Sequence, residues 1–282
     1  MKRIAAIGLA FIIMLIPIIG VSCSEEGKED GLTQEHIAQV ISDTTSAAGE
    51  AAVYKFDMDM STTMSLSGGI SPGTLSMEMD STGVIDIANE AMQMFMTMTM
   101  DIPELGEEEV ELETYIIDEW QYMKASGEGW MKTNVTPEVW ETQNQIEQQI
   151  ELLSSGGVDS IGSEVSGGID CYKIEITPTD MGLLSEMMLE QYGTEAMPDL
   201  EELFSSTSID YTLWVAKDSY LLIKVAGNIS MELSPEDVGA SNSDFQKMDM
   251  DMVLEVVFYD YNQPVTIELP PGAELAIEVP GF

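Results

Sequence analysis

The chain has 282 residues and carries 51 acidic against 10 basic side chains, a formal net charge of −41. A surface charged in this way repels nucleic-acid phosphates and anionic headgroups, so no nucleic-acid partner is expected. Only two cysteines occur, which excludes a disulfide-stapled fold.

Lys2 and Arg3 open a short positive segment, and Ile4 to Ile19 is an apolar run interrupted by Gly8 and Pro17. This run is short for a membrane-spanning helix and has the length of an export signal's apolar stretch. Gly20-Val21-Ser22 then meets Cys23, and the polar stretch Ser24 to Asp30 follows. Small residues before a cysteine resemble a bacterial lipoprotein cleavage site, with Gly20 standing where leucine is usual. The expected division is therefore 1–22 as signal peptide, 23–32 as lipidated Cys23 with a flexible tether, and 33–282 as one domain. An uncleaved N-terminal anchor is the alternative. On either reading the body is held to the extracytoplasmic face of the cell membrane, and no later apolar run reaches bilayer length.

Thr33 heads a helix over 33–48, with Ile37, Val40 and Ile41 on one stripe. From Ala52 to Leu66 apolar residues alternate through Phe56, Met58, Met60, Met64 and Leu66, with a slip at Thr62-Thr63 that predicts a bulge. LSMEMDSTG, VIDIANEAM, QMFMTMTMDI, VELETYIID and EWQYMKAS follow between turn signals, the spacing of an antiparallel meander. Over 137–153 the period changes to three and four behind Thr136-Pro137, which predicts a helix with Trp140, Ile146, Ile150 and Leu153 facing the sheet. Strands are expected near 158–166 and 169–177, then helices over 180–192 and 199–205. The last strands are IDYTLWVAKD, SYLLIKVAGNISMEL, KMDMDMVLEVVFYDY and PVTIEL. Cys171 falls in an alternating strand, where a buried inert thiol is the expectation and a reactive one the alternative.

The unusual feature is methionine, of which there are 22. Met92, Met94, Met96, Met98 and Met100 alternate, and so do Met58 and Met60, Met77 and Met79, and Met248, Met250 and Met252. In a strand each set lies on one face. Methionine is flexible and specifies a unique packing poorly, unlike the stiffer Val, Ile and Phe of ordinary core strands. Three readings follow: a plain core with Met in place of Leu, a cavity lining for a lipid or similar apolar molecule, or a copper(I) site of soft thioethers. Copper sites usually add His or Cys, and the single histidine, His36, sits on the first helix. As cavity lining the candidates are Met58, Met60, Met94, Met96, Met98 and Met250. No Ser-His or Cys-His pairing, nucleophile elbow, phosphate loop or His/Cys metal cluster appears in the sequence, so neither catalytic residues, nor a metal, nor a cofactor is expected.

The motifs Tyr115-Ile116-Ile117-Asp118, Tyr122-Met123-Lys124 and Gly129-Trp130-Met131-Lys132 are followed by Gly168-Ile169-Asp170-Cys171-Tyr172-Lys173. Leu213-Trp214-Val215-Ala216-Lys217-Asp218-Ser219-Tyr220-Leu221 and Pro264-Val265-Thr266-Ile267-Glu268-Leu269-Pro270 complete the set. Together with the order of elements they resemble the LolA-like lipoprotein carriers, and within them the LppX/LprG type of lipoprotein. The methionine content and acidity depart from that family. The resemblance implies an α+β fold: a curved, mostly antiparallel, unclosed β-barrel of about ten or eleven strands, with helices covering the concave face. It also implies a non-catalytic protein that binds and carries or holds a lipid or acylated ligand in an apolar cavity. The rival is a non-enzymatic scaffold or sensor with a dry core and a protein partner.

Overall fold

A computed structural model describes residues 34–68, 73–102, 106–135, 158–176, 207–234 and 246–279. Cys23 and its leader, and the helices expected over 137–153, 180–192 and 199–205, lie outside the described residues. Helix α1 (Gln34–Gly49) is followed by β1 (Val53–Ser67), β2 (Gly73–Asp86), β3 (Ala91–Ile102), β4 (Gly106–Ile117), β5 (Trp120–Ala125) and β6 (Met131–Asn134). The second half supplies β7 (Val158–Ser166), β8 (Ile169–Ile176), β9 (Thr207–Ala216), β10 (Leu222–Leu233), β11 (Lys247–Tyr259) and the two-residue β12 (Ile277–Glu278).

These strands form one open sheet in the order β12-β6-β5-β4-β3-β2-β1-β11-β10-β9-β8-β7. Two antiparallel meanders, β1 to β6 and β7 to β11, meet where β1 pairs with β11 over its whole length. Only β12 runs parallel to its neighbour, β6. The expected α+β architecture with helices covering a concave face is therefore corrected. Among the described residues there is a single α-helix, and the sheet has twelve strands with edges at β7 and β12. The physical reason lies in the period: alternation of two runs through the long strands from β1 to β11, and only 34–49 keeps an α-helical period among the described residues, so continuous ladders replace a mixture of elements. LSMEMDSTG and VIDIANEAM, expected as separate strands, share the single strand β2 up to Asp86. PVTIEL forms no ladder; two flanking prolines, Pro264 and Pro270, cannot donate to one. No helix among the described residues is long and apolar enough to cross a membrane.

One face of the sheet carries the core. Tyr54, Phe56, Met58, Met60, Met79, Ile85, Leu213 and Val225 belong to a single buried cluster, against which Val40, Ile37 and Ile41 of α1 pack. Inside α1 the buried Thr44 returns its hydroxyl hydrogen bond to Val40 O at 2.8 Å, which satisfies a polar atom on an otherwise apolar stripe. The opposite face is acidic, with two smaller clusters set into it. Cys171, Trp214, Ala216 and Ile223 make one, and Tyr115, Trp130 and Ala273 the other. The C-terminal segment closes over the second, where Ile277 N donates to Trp130 O at 3.0 Å and Val279 N to Lys132 O at 2.9 Å.

Candidate functional site

The methionine face is built by register. Met60 pairs with Met79, Met79 with Met98, and Met98 with Val110, while on its other side Met60 pairs with Leu254. The same row continues from Leu254 to Gly227 and from Gly227 to Tyr211. One step along the strands, Met58 lies between Ser81 and Val256, and Ser81 between Met58 and Met96. Two steps the other way, Met64 pairs with Met250 and Met250 with Met231. All six sequence-predicted lining residues thus share one face, on β3, β1 and β11, with β2 between β3 and β1. Met58, Met60, Met96, Met98 and Met250 are buried, and Met94 is half-buried against them. Met77, Met79 and Met252 complete the surface.

The expected bulge at Thr62-Thr63 is absent. The register of β1 with both neighbours runs without a shift, and Thr62 faces the same way as Met60 and Met64, between Met77 and Met252. A hydroxyl inside an apolar row had broken the hydrophobic pattern without breaking the strand.

Two glycines shape this face. A β-carbon at Gly83 would stand 2.5 Å from Phe56 Cε1, and one at Gly227 would stand 2.5 Å from Tyr211 Cε1. Each glycine therefore lets an aromatic ring from the neighbouring strand lie flat across the sheet. The ring of Tyr211 passes over β10 towards β11 and the centre of the methionine face.

Polar atoms are few there. Across β3, β2, β1, β11, β10 and β9 this face has no charged side chain. Tyr211 is 3% exposed, Thr62 2% and Ser81 2%, and the hydroxyls of all three make no hydrogen bond among the described residues. Burial pushes the Tyr211 phenol far above the ordinary tyrosine range, so it remains a protonated donor. Sequence reasoning missed all three hydroxyls. The signal that could have found them is a lone Thr, Ser or Tyr at a position whose parity matches the methionines.

The residues that a copper site would need lie elsewhere. Cys171 is buried on the opposite face, its thiol turned to Ile169 O at 3.4 Å and pushed up in pKa by burial. His36 stands edge-on to Tyr172 at 5.9 Å, on β8. Among the described residues no group of three or more His, Cys, Asp or Glu side chains is arranged to hold a metal ion.

The motifs that carried the family resemblance fall mainly at hairpins. Asp118, at a left-handed φ of 56°, turns β4 into β5, and Tyr220 at 57° ends the turn before β10. Trp214 is packed against Cys171, Ala216 and Ile223 beneath Lys224, whose ammonium lies 4.9 Å from its ring centre.

Comparison with known proteins gives a family and little else. The model of a family of unknown function, DUF6612, matches residues 36–274. No curated protein matches. Among solved structures, a beta-barrel-like protein of a domain of unknown function, DUF1849, from Brucella abortus is 10% identical. The match covers 74% of this chain and 100% of that one, with a TM-score of 0.28, a likeness too low to argue from.

Proposed function

Because the chain belongs to the DUF6612 family, whose function is unknown, its role has to be read from its own side chains. We propose that it is an extracytoplasmic lipoprotein, anchored through Cys23, whose methionine face binds and carries or holds a lipid or acylated molecule without covalent chemistry. One observation carries the reading: a continuous face of thioethers across four strands, with no charged group on it. Thioether side chains adapt to varied apolar shapes, and each methylene buried against them contributes about 0.8 kcal/mol. A dozen methylenes bound in this way give useful affinity without directional contacts. The leader sequence ending at Cys23 and the LolA-like motifs around Tyr115, Trp130 and Trp214 support the same reading.

The second reading, a scaffold or sensor with a dry core, is favoured by how deeply Met58, Met60, Met96 and Met98 are buried. The two are separated by uptake of a fluorescent acyl probe, with thermal unfolding followed in parallel. A carrier takes up the probe, and Met96→Asp with Met98→Asp abolishes uptake because an unpaired carboxylate on that face is costly to desolvate. Absence of uptake by the folded chain, or full uptake and stability in the double variant, overturns the proposal.

A further inference from the structure

The three hydroxyls on the methionine face bracket one row of the sheet. Tyr211 lies in the row of Met60 and Leu254, Thr62 stands one step along β1 from Met60, and Ser81 pairs with Met58 one step the other way. Thr62 and Ser81 stand on adjacent strands but four residues apart along them, about 14 Å at about 3.3 Å per residue and about 4.8 Å between strands, so they mark two ends of the same apolar stretch. Gly227 lets the Tyr211 ring reach across β10 towards them. A buried hydroxyl without a partner costs roughly 1–3 kcal/mol, and three on one face ask for a polar counterpart.

The charge of that counterpart follows from a census of cations. No arginine and only seven lysines occur after residue 33. Lys55, Lys124, Lys132, Lys173, Lys224 and Lys247 all reach carboxylates on the opposite face. Lys217 belongs to the turn after β9, held by Ser163 at 2.8 Å. It is six residues from Tyr211, about 20 Å at about 3.3 Å per residue. His36 of α1 stands on the same face but at its β8 end, against Tyr172, four strands away from β1. A carboxylate or phosphate brought against the methionines of β3, β2, β1 and β11 would therefore meet no cation on those strands, in a protein whose formal charge is −41. Desolvating an anion there without a partner is far more costly than burying an alcohol or ester that makes a hydrogen bond.

We propose that Tyr211, Thr62 and Ser81 are the polar anchors of the site and that their ligand is an uncharged amphipath, a lipid buried through hydroxyl or ester groups. Tyr211 donates to a carbonyl or hydroxyl oxygen, while the two aliphatic hydroxyls donate or accept as the ligand requires. This rests on the lipid-binding reading and adds the ligand class to it.

The test uses the full chain at pH 8 and two fluorescent probes of equal acyl length, a monoacylglycerol and a fatty acid. The monoacylglycerol should bind at least tenfold more tightly than the carboxylate. Tyr211→Phe should weaken monoacylglycerol binding by about two- to tenfold, the worth of one hydrogen bond, while melting no lower than the parent chain. Gly227→Ala, which displaces the ring without removing the hydroxyl, should weaken binding as well. Equal or tighter binding of the fatty acid overturns the ligand class, and unchanged binding by Tyr211→Phe overturns its role as an anchor. Binding of neither probe instead overturns the lipid-binding reading, and this inference with it.

Discussion

The ring of Phe56 lies flat over Gly83 of the adjacent strand, so close that a β-carbon there would stand 2.5 Å from both Cε1 and Cζ. Phe56 is fully buried beside Phe258, its partner across β11, and Gly83 is also hemmed by Gln93 O at 3.0 Å. Neither the ring nor the backbone has room to give. Gly83→Ala should therefore destabilise the protein by about 1–3 kcal/mol, the usual cost of overpacking, read as a lower midpoint in denaturant. Gly162→Ala is the matched control, since nothing lies within 4 Å of a β-carbon there. Equal stability of the two variants would show that Phe56 is not held as described.

Thr62 gives a prediction of opposite sign. Its hydroxyl is buried among Met60, Met64, Met77 and Met252 and makes no hydrogen bond among the described residues. Valine has nearly the same shape and no polar atom. Thr62→Val should therefore raise the stability of the unliganded chain by about 1 kcal/mol. If the hydroxyl serves a ligand, the same substitution weakens monoacylglycerol binding. A stabilised variant with undiminished binding would leave Thr62 a core residue and no more.

On the acidic face, Asp59 stands opposite Asp80 on one side and Glu255 on the other. Burial raises its pKa above the ordinary aspartate value, and the hydrogen bond and repulsion from Asp80, Glu255 and Asp57 add to the rise. The folded state thus binds this proton more tightly than the unfolded chain does. Linkage then makes stability fall as the pH rises from the ordinary aspartate value through the raised one, and the loss is complete above it. Asp59→Asn should melt higher at neutral pH and flatten that acidic slope. Added salt should narrow the difference, because the repulsion is between exposed charges. A variant that melts lower at neutral pH contradicts the assignment.

Much of the sheet was legible because side-chain parity survives in the sequence. The even-numbered run from Phe56 to Leu66 and the methionines of β3 place each residue on its face without any structure. What failed was reading a polar residue as a break. Thr62 sits in unbroken register, and only its pairing partners Met77 and Met252 reveal this. Strand order was not legible either. β1 finds β11 some two hundred residues away, and the chain passes from β6 near one edge to β7 at the other, which local periodicity does not encode. The segment Pro264 to Pro270 alternates like a strand, yet its prolines deny it a ladder. Gly227 and Tyr211 escaped notice because their relation is across strands. A ring lying over a glycine leaves no trace in the spacing of either residue.

The central claim is that the methionine face holds a lipid, and the most direct measurement is native mass spectrometry of the protein purified from its own membrane. The spectrum should show the folded chain with added mass beyond that of the anchor on Cys23. Denaturation should release that mass, and organic extraction should recover it as an uncharged acyl compound. A folded chain carrying only its covalent anchor, with nothing recovered on extraction, would contradict the account and favour a dry core.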